Sequence, residues 1–195
     1  ETQWSVWPTW DSWNWQGYEG KPIEVEIYSR YPKVRLYLNG QLIGEQPTGR
    51  EQEFKAVFSV PYSPGTLKAV GIENGQEVEA QELATAGEPA QIRLTADRTV
   101  ITADGQDLSF VTVEILDKEG RVNPNADNRL TFEVNGAGVI AAVGNAGLKD
   151  TDCYVGNTCK AWKGRAIVVL KSTKKNGAIK LKATSKDLRT ATVSV

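Results

Sequence analysis

The side chains best suited to chemistry in this sequence are carboxylates, aromatic rings and two cysteines, because histidine is absent from all 195 residues. Without histidine, Ser-His-Asp and Cys-His sites, the usual zinc sites and an imidazole general base are all excluded. Asp104 and Asp107 are better explained as turn residues than as calcium ligands, since the acidic run and distal Glu of an EF-hand loop are missing. We therefore predict no metal site and no cofactor.

Closely spaced glutamates are the candidates for hydrolytic chemistry, because glycosidases use two carboxyl groups about 5–10 Å apart. Glu24 and Glu26 lie two residues apart, which places them on one side of a strand. The same spacing occurs at Glu51/Glu53 and Glu77/Glu79. Alternation with Ile23 and Val25 predicts that Glu24 and Glu26 lie on a solvated outer face, without the apolar surroundings that keep a general acid protonated. We predict no catalytic residue in the chain.

Aromatic residues crowd the start of the sequence, where the first 20 residues hold five of the six tryptophans. Their spacing and the presence of Pro8 favour an extended segment over a helix. Flat rings along such a segment could stack on sugar rings, or they could pack against a sandwich edge or a neighbouring domain. We favour packing for all five of these tryptophans, including Trp4, because large rings rarely stay exposed without a partner. The candidates for carbohydrate binding or domain docking are Trp7, Trp10, Trp13, Trp15 and Tyr18.

The two cysteines, Cys153 and Cys159, lie six residues apart in a polar loop. In an oxidising compartment they are candidates for a disulfide that closes a short loop and adds about 2–3 kcal/mol of stability. The alternative is two free thiols in a reducing compartment. Polar neighbours such as Asp150 and Asn157 indicate exposure and favour the disulfide. Two sulfurs alone leave tetrahedral zinc short of ligands.

The overall composition limits the class of protein that holds these side chains in place. A hydrophobic fraction of 40% and a charged fraction of 24% are typical of a globular protein, and the length allows one large domain or two ordinary ones. A net charge of −1 argues against nucleic acid or an anionic membrane as partner. No apolar run approaches the ~20 residues of a membrane-spanning helix.

Apolar residues alternate with a period of two through the first half, which predicts strands. Predicted strands cover residues 23–28, 34–38, 53–60, 66–73 and 76–83, with a return strand beginning at 42–43. Asn39-Gly40 and Asn74-Gly75 are predicted hairpin turns. Strands at this spacing predict an immunoglobulin-like β-sandwich. The small, Pro-ending run 84–89 predicts a linker, so the first domain, with its Trp-rich leading segment, is placed at 1–86.

A second series of strands follows the linker. The predicted strands cover residues 92–94, 100–101, 108–116, 130–134, 139–143, 166–170, 179–183 and 191–195. Asn176-Gly177 is predicted as a further hairpin turn. Neither half has helical periodicity. The predicted fold class is all-β, with two consecutive immunoglobulin-like β-sandwich domains at 1–86 and 87–195.

Several strings of residues resemble a known family. PTWDSWNWQGYEGKPIEVEIYS and VRLYLNGQLIG, within residues 8–44, resemble the first accessory β-sandwich after the catalytic barrel of family 2 glycoside hydrolases, notably beta-galactosidases of Bacteroides-type bacteria. ADGQDLSFVTVEILDKEGRVNPNADNRLTFEVNGAGVIAAVGN is similar to the next domain of those enzymes, which is an invasin-like immunoglobulin domain. Residues 160–172 and 177–188 match its closing strands. The resemblance covers nearly the whole chain.

The resemblance implies that the chain is a C-terminal fragment of a multidomain glycosidase. The catalytic (β/α)8 barrel of such an enzyme is not part of this sequence. The family's catalytic glutamates lie on that barrel, so no residue here inherits a catalytic role. The implied partner is the barrel of the same parent chain, which the two domains stabilise or orient. Many relatives have His directly before the WNW triplet, whereas this chain has Ser12, so any contact that this His makes toward the barrel is not carried over to this chain. The family also implies export to the periplasm or the cell exterior.

Two other functions are left open by the sequence. A carbohydrate-binding module would use exposed rings of the leading segment, together with Trp162, to hold an oligo- or polysaccharide. An adhesin-like module, which the invasin-like half implies, would bind protein ligands instead.

Overall fold

The computed structural model describes residues 9–195, which form two compact units that divide between Thr85 and Ala86. The sequence-based boundary lies one residue later. The described residues contain antiparallel strands and one short 3-10 helix, Arg50–Gln52, but no α-helix. The predicted all-β class is therefore confirmed. Trp4 and Trp7 lie outside the described residues.

The first unit is a sandwich of two sheets with unequal widths. Its strands are β1 Pro22–Tyr28, β2 Lys33–Leu38, β3 Gln41–Pro47, β4 Lys55–Pro61, β5 Thr66–Glu73 and β6 Gln76–Ala84. One sheet contains only β1 and β4, and the other has the order β3-β2-β5-β6. Asn39-Gly40 and Asn74-Gly75 have positive φ angles and join paired strands, so both predicted hairpins are confirmed.

The pairing leaves one edge of β1 open. β4 lies towards β3, since the Gln46 side chain donates to the Val57 carbonyl at 2.8 Å and Gly44 faces the Phe58 ring. β1 is the outer strand on the other side, and no described strand pairs with its second edge. The buried side chains between the sheets include Val34, Leu36, Phe58 and Val60, each at most 5% exposed. The inner faces of β5 and β6 therefore extend beyond the two-stranded sheet.

The second unit has two sheets of equal width. Its strands are β7 Gln91–Ala96, β8 Leu108–Leu116, β9 Arg129–Gly136, β10 Gly138–Gly144, β11 Thr158–Lys160, β12 Arg165–Ser172, β13 Ile179–Thr184 and β14 Ala191–Ser194. The sheet orders are β10-β12-β8-β7 and β11-β9-β13-β14. Both sheets turn alternate side chains inward, and Val113, Phe132, Leu170 and Leu181 are fully buried. Each such side chain contributes about 1.5–3 kcal/mol through removal from water.

Three details of this unit differ from the sequence-based predictions. Val100-Ile101 is not a strand, and Val100 is 82% exposed. Asn176-Gly177 joins β12 to β13, which lie in different sheets, so it is not a hairpin turn. The short strand β11 was not predicted, because three residues are too few to show an alternating pattern. Each difference arises because the local sequence does not determine which distant segment a stretch of residues pairs with.

A buried carboxylate fixes the first residues of the second unit. Asp117, with its side chain 1% exposed, accepts hydrogen bonds from the N–H of Gly87 and of Arg121, at 2.9 and 2.8 Å. Asn123 donates to the Gly87 carbonyl at 2.8 Å. Burial acts to raise the pKa of Asp117, but these N–H donors and the Arg121 charge outweigh it, and the pKa is lowered. The ionised carboxylate thus holds Gly87 against the second sandwich.

Candidate functional site

Trp13 is a core residue of the first unit and not a ligand platform. It is 1% exposed and meets Tyr62 edge to face, with ring centroids 5.2 Å apart. Its indole Nε1 donates to the Ser63 carbonyl at 3.0 Å, and its own carbonyl accepts from Thr85 Oγ1 at 2.6 Å. Trp13 therefore fastens the leading segment to the last residue of the unit. Among the candidate aromatic residues, this one follows the packing alternative.

The other described aromatic candidates lie nearer the surface. Trp10 is 42% exposed and Tyr18 is 49% exposed. Trp15 is half-buried and meets Tyr18 edge to face at 6.4 Å, while Lys21 Nζ lies 5.0 Å from the Tyr18 ring centroid. The Nε1 atom of Trp15 is buried and has no hydrogen-bond partner among the described residues. The structure does not bring these rings into one flat platform with Trp13.

Two clefts follow the open edge of β1. The first has a volume of about 780 Å³ and lies between the leading segment, β1 and the facing side chains Leu67 and Leu83. The second, of about 700 Å³, lies between the end of β1 and the inner face of β5 and β6, at Gly71 and Glu79. Tyr28 lines both clefts. We call the two together the β1 trough, which has a volume typical of small-molecule sites.

Tyr28 is hydrogen-bonded to an ion pair that joins its own strand, β1, to the neighbouring strand β4. Its ring is exposed, and its hydroxyl donates to Glu26 Oε2 at 2.7 Å. Lys55 Nζ lies 3.3 Å from the other oxygen of Glu26, whose side chain is only 10% exposed. The hydrogen bond to Glu26 raises the pKa of Tyr28, so its hydroxyl stays protonated at neutral pH. Tyr28 thus borders both clefts, and its hydroxyl is anchored to Glu26.

The paired glutamates do not have the setting that glycoside hydrolysis needs. Glu24 and Glu26 both line the first cleft, but Glu24 is exposed and Glu26 is engaged by Lys55 and Tyr28. Neither has the apolar surroundings that a general acid requires. Glu26 is nevertheless more buried than the alternating pattern predicts, because the Lys55 side chain from β4 covers it.

The predicted bond between Cys153 and Cys159 is not present, and both residues are free thiols. Cys159 is buried because it lies on β11, opposite Leu130 of β9, whereas Cys153 lies in the exposed part of the loop. Burial, together with the negative charges of Asp152 and Asp150, raises the pKa of the Cys159 thiol to about 11. Polar residues flank both cysteines, but only Cys153 is exposed, so the polar neighbours did not reveal the burial of Cys159.

The acidic turns have structural roles. Asp104 Oδ1 accepts from the N–H groups of Gln106 and Asp107, and Asp107 accepts from the N–H of Thr102. These bonds lower the pKa values of Asp104 and Asp107. Within residues 9–195, no three metal-ligating side chains are grouped so that they could hold an ion. In the same range we find no helix with the length and apolarity that crossing a membrane requires.

Sequence analysis missed the importance of Tyr28 and Lys55. They are directly opposite in the β1–β4 pair, so Lys55 and Glu26 are diagonal neighbours on one face. The only sequence signal was the polar face of β1 itself. It becomes informative once the pairing of β1 with β4 is known.

Comparison with known proteins gives two family matches. Residues 92–194 match the glycoside hydrolase family 2 C-terminal domain 5. Residues 20–79 match the domain of unknown function DUF4982. The two matches fall in the second and the first unit respectively.

Similar proteins extend these matches across the chain. Beta-galactosidase BoGH2A of Bacteroides ovatus is 38% identical over 183 residues, which cover 93% of this chain and 21% of that protein. A beta-glucuronidase of Formosa agariphila is 31% identical over 143 residues, 69% of this chain and 14% of that protein. A crystal structure of a glycosyl hydrolase family 2 member from Bacteroides cellulosilyticus has 40% identity and a TM-score of 0.90, covering 95% of this chain and 25% of that one. The chain thus spans a quarter or less of each of these proteins.

Proposed function

The chain belongs to glycoside hydrolase family 2, in its C-terminal accessory region and not its catalytic barrel, and we propose that it stabilises or orients such a barrel in a longer enzyme. The observation that carries the proposal is the position of the match. Almost the whole chain aligns with about a fifth of a beta-galactosidase, and its second unit aligns with a C-terminal domain of the family.

The contacts of the first unit support a structural role. Trp13 is buried in the core, and its carbonyl accepts a hydrogen bond from Thr85 Oγ1. The leading segment is thereby fixed to the body of the sandwich, which gives a preceding domain a firm attachment.

The substrate of the longer enzyme is part of the same proposal. The two relatives differ in their named substrates, a β-galactoside and a β-glucuronide, and the more similar one is the beta-galactosidase. A β-galactoside is therefore the substrate that we propose. We also propose export to the periplasm or the cell exterior, which fractionation of the native cells with an antibody against this chain would test.

A chimera tests the scaffold role directly. The chain would replace the matching region of the Bacteroides ovatus beta-galactosidase, with a truncation that ends before this region as the control. We expect the chimera to keep kcat on an aryl β-galactoside and the truncation to unfold at a lower temperature. A truncation with unchanged melting temperature and kcat would contradict the proposal.

The isolated chain provides the complementary test. We expect no turnover of aryl β-galactosides or aryl β-glucuronides by the purified chain. Turnover that co-elutes with the chain through successive columns, and that is lost in Glu24→Gln or Glu26→Gln, would show that it is an enzyme in its own right.

A further inference from the structure

The β1 trough is open because two strands face four in the first unit. The missing width exposes the inner face of β5 and β6 next to the free edge of β1. Its two clefts share Tyr28, the last residue of β1, and the first cleft follows β1, whose seven residues span about 23 Å. This shape suits an extended ligand more than a compact one. We propose that the β1 trough binds a neutral oligosaccharide.

Aromatic rings and polar groups both line the trough, and sugar recognition requires both kinds of group. The faces of pyranose rings are apolar and stack on aromatic rings, while their hydroxyls need acceptors and donors at the sides. Tyr28 is 64% exposed, and Trp10 and Trp15 line the first cleft beside Glu24. Glu79 and Gln81 line the second cleft. An apolar helix or strand is a poor occupant, because it would remove the exposed side chains of Glu24 and Gln81 from water without offering them hydrogen bonds.

The geometry of Tyr28 favours binding because its ring is already in place. The hydroxyl is tied to Glu26 at 2.7 Å, and Glu26 is tied to Lys55 at 3.3 Å. A ring whose orientation is fixed before binding loses little conformational entropy when a sugar stacks on it. Tyr28 is therefore the central platform of the proposed site.

The charges of the trough decide between neutral and acidic sugars. Its lining includes four carboxylates, Asp11, Glu24, Glu26 and Glu79, and two cations, Lys55 and Arg30. Lys55 is paired with Glu26, and Arg30 lies 3.3 Å from Glu79. The remaining charge is negative, which repels the carboxylate of a uronic acid.

This proposal does not rest on the scaffold role, because the described residues that line the trough all belong to the first unit. Either function can hold without the other. A chain that binds sugar but leaves a barrel unaffected would support only this proposal.

The test uses the full 195-residue chain and neutral hexasaccharides with gluco-, galacto-, manno- and xylo-configured backbones. Binding would be followed by tryptophan fluorescence and isothermal titration calorimetry. The hexasaccharide of β-1,4-linked glucuronic acid serves as the acidic match of the glucose hexamer. We expect at least one neutral oligosaccharide to bind and its affinity to exceed that of the acidic match.

Variants then locate the site. Tyr28→Ala is expected to weaken binding about tenfold, the loss of one stacking contact, and Tyr28→Phe to weaken it less, because the ring remains. Tyr154→Ala, which removes an equally exposed tyrosine of the second unit, is the matched control and should bind like the wild type. Circular dichroism checks that each variant folds. Absence of binding across the panel, equal binding of the acidic hexamer, or affinity unchanged in Tyr28→Ala would overturn the proposal.

Discussion

The two units solve the same packing problem with different sheet widths. In the first unit two strands face four, while in the second unit four strands face four. The second sandwich consequently buries both inner faces, whereas the first leaves part of β5 and β6 open as the β1 trough. The comparison teaches that a recognition surface can arise from incomplete coverage of a sheet, without any added loop.

The side chains of the edge strands reflect whether the inner face of each sheet is covered. In β6 both faces are exposed over most of its length, and the inner positions next to the trough are Glu79 and Gln81. In β7, one of the edge strands of the second unit, the inner positions are the apolar Ile92 and Leu94, which pack in the core. The polar inner face of β6 is compatible with water or with a polar ligand, but not with a dry interior.

The largest expected effect is a loss of stability that is confined to the first unit. Trp13→Ala should lower the free energy of unfolding of the first unit by about 3–5 kcal/mol, because a fully buried indole is removed. Hydrogen exchange read by mass spectrometry would assign the loss to residues 9–85. Trp10→Ala, at a 42% exposed ring, is the control and should cost much less. Equal losses in both variants would remove the distinction between core and surface tryptophans.

The second prediction concerns the buried carboxylate of the second unit. Asp117→Ala leaves the N–H groups of Gly87 and Arg121 without their acceptor and should cost about 1.5–3 kcal/mol. The loss should be confined to residues 86–195. Urea titrations of both proteins would measure it, and a first-unit transition that moves as well would contradict it.

The pH dependence of this contribution follows from the direction of the shift. The pKa of Asp117 is lowered by folding, so the unfolded chain binds the proton more tightly. The stabilisation is present above the unfolded value of about 3.9 and is lost as pH falls through the folded pKa. Wild-type stability of the second unit should therefore decline more steeply below about pH 4 than that of Asp117→Asn. Parallel pH profiles would contradict the assignment.

The smallest expected effect comes from glycine-to-alanine substitutions at two positions where a neighbouring side chain lies close to the glycine. A Cβ on Gly71 would lie 2.2 Å from the Tyr31 ring, and one on Gly138 would lie 2.6 Å from Ile179 Cδ1. Tyr31 is half-buried and borders the open trough, whereas Ile179 is buried in the closed core. We expect Gly138→Ala to cost about 1–2 kcal/mol and Gly71→Ala less than about 1 kcal/mol, by thermal unfolding. The reverse order would mean that the trough is as tightly packed as the core.

Much of this architecture could be predicted from the sequence because it depends on local patterns. Alternation located the long strand Leu108–Leu116 with its observed bounds, and the Asn-Gly turn at 39–40 was identified from residue type alone. The unequal sheet widths could not be predicted, since they depend on the pairing of β1 with β4, about 30 residues apart. Spacing likewise could not distinguish Trp13 from Trp10, because an extended segment does not specify which ring turns inward.

The unlike surroundings of the two cysteines make the chain easy to label at one position. Cys153 is exposed, whereas the buried Cys159 has a pKa of about 11 and little reactive thiolate at neutral pH. A maleimide dye should therefore attach to Cys153 in the native protein without any substitution. Such a single fluorophore would turn the second sandwich into an optical reporter for the tumbling of this chain and for its assembly with other proteins.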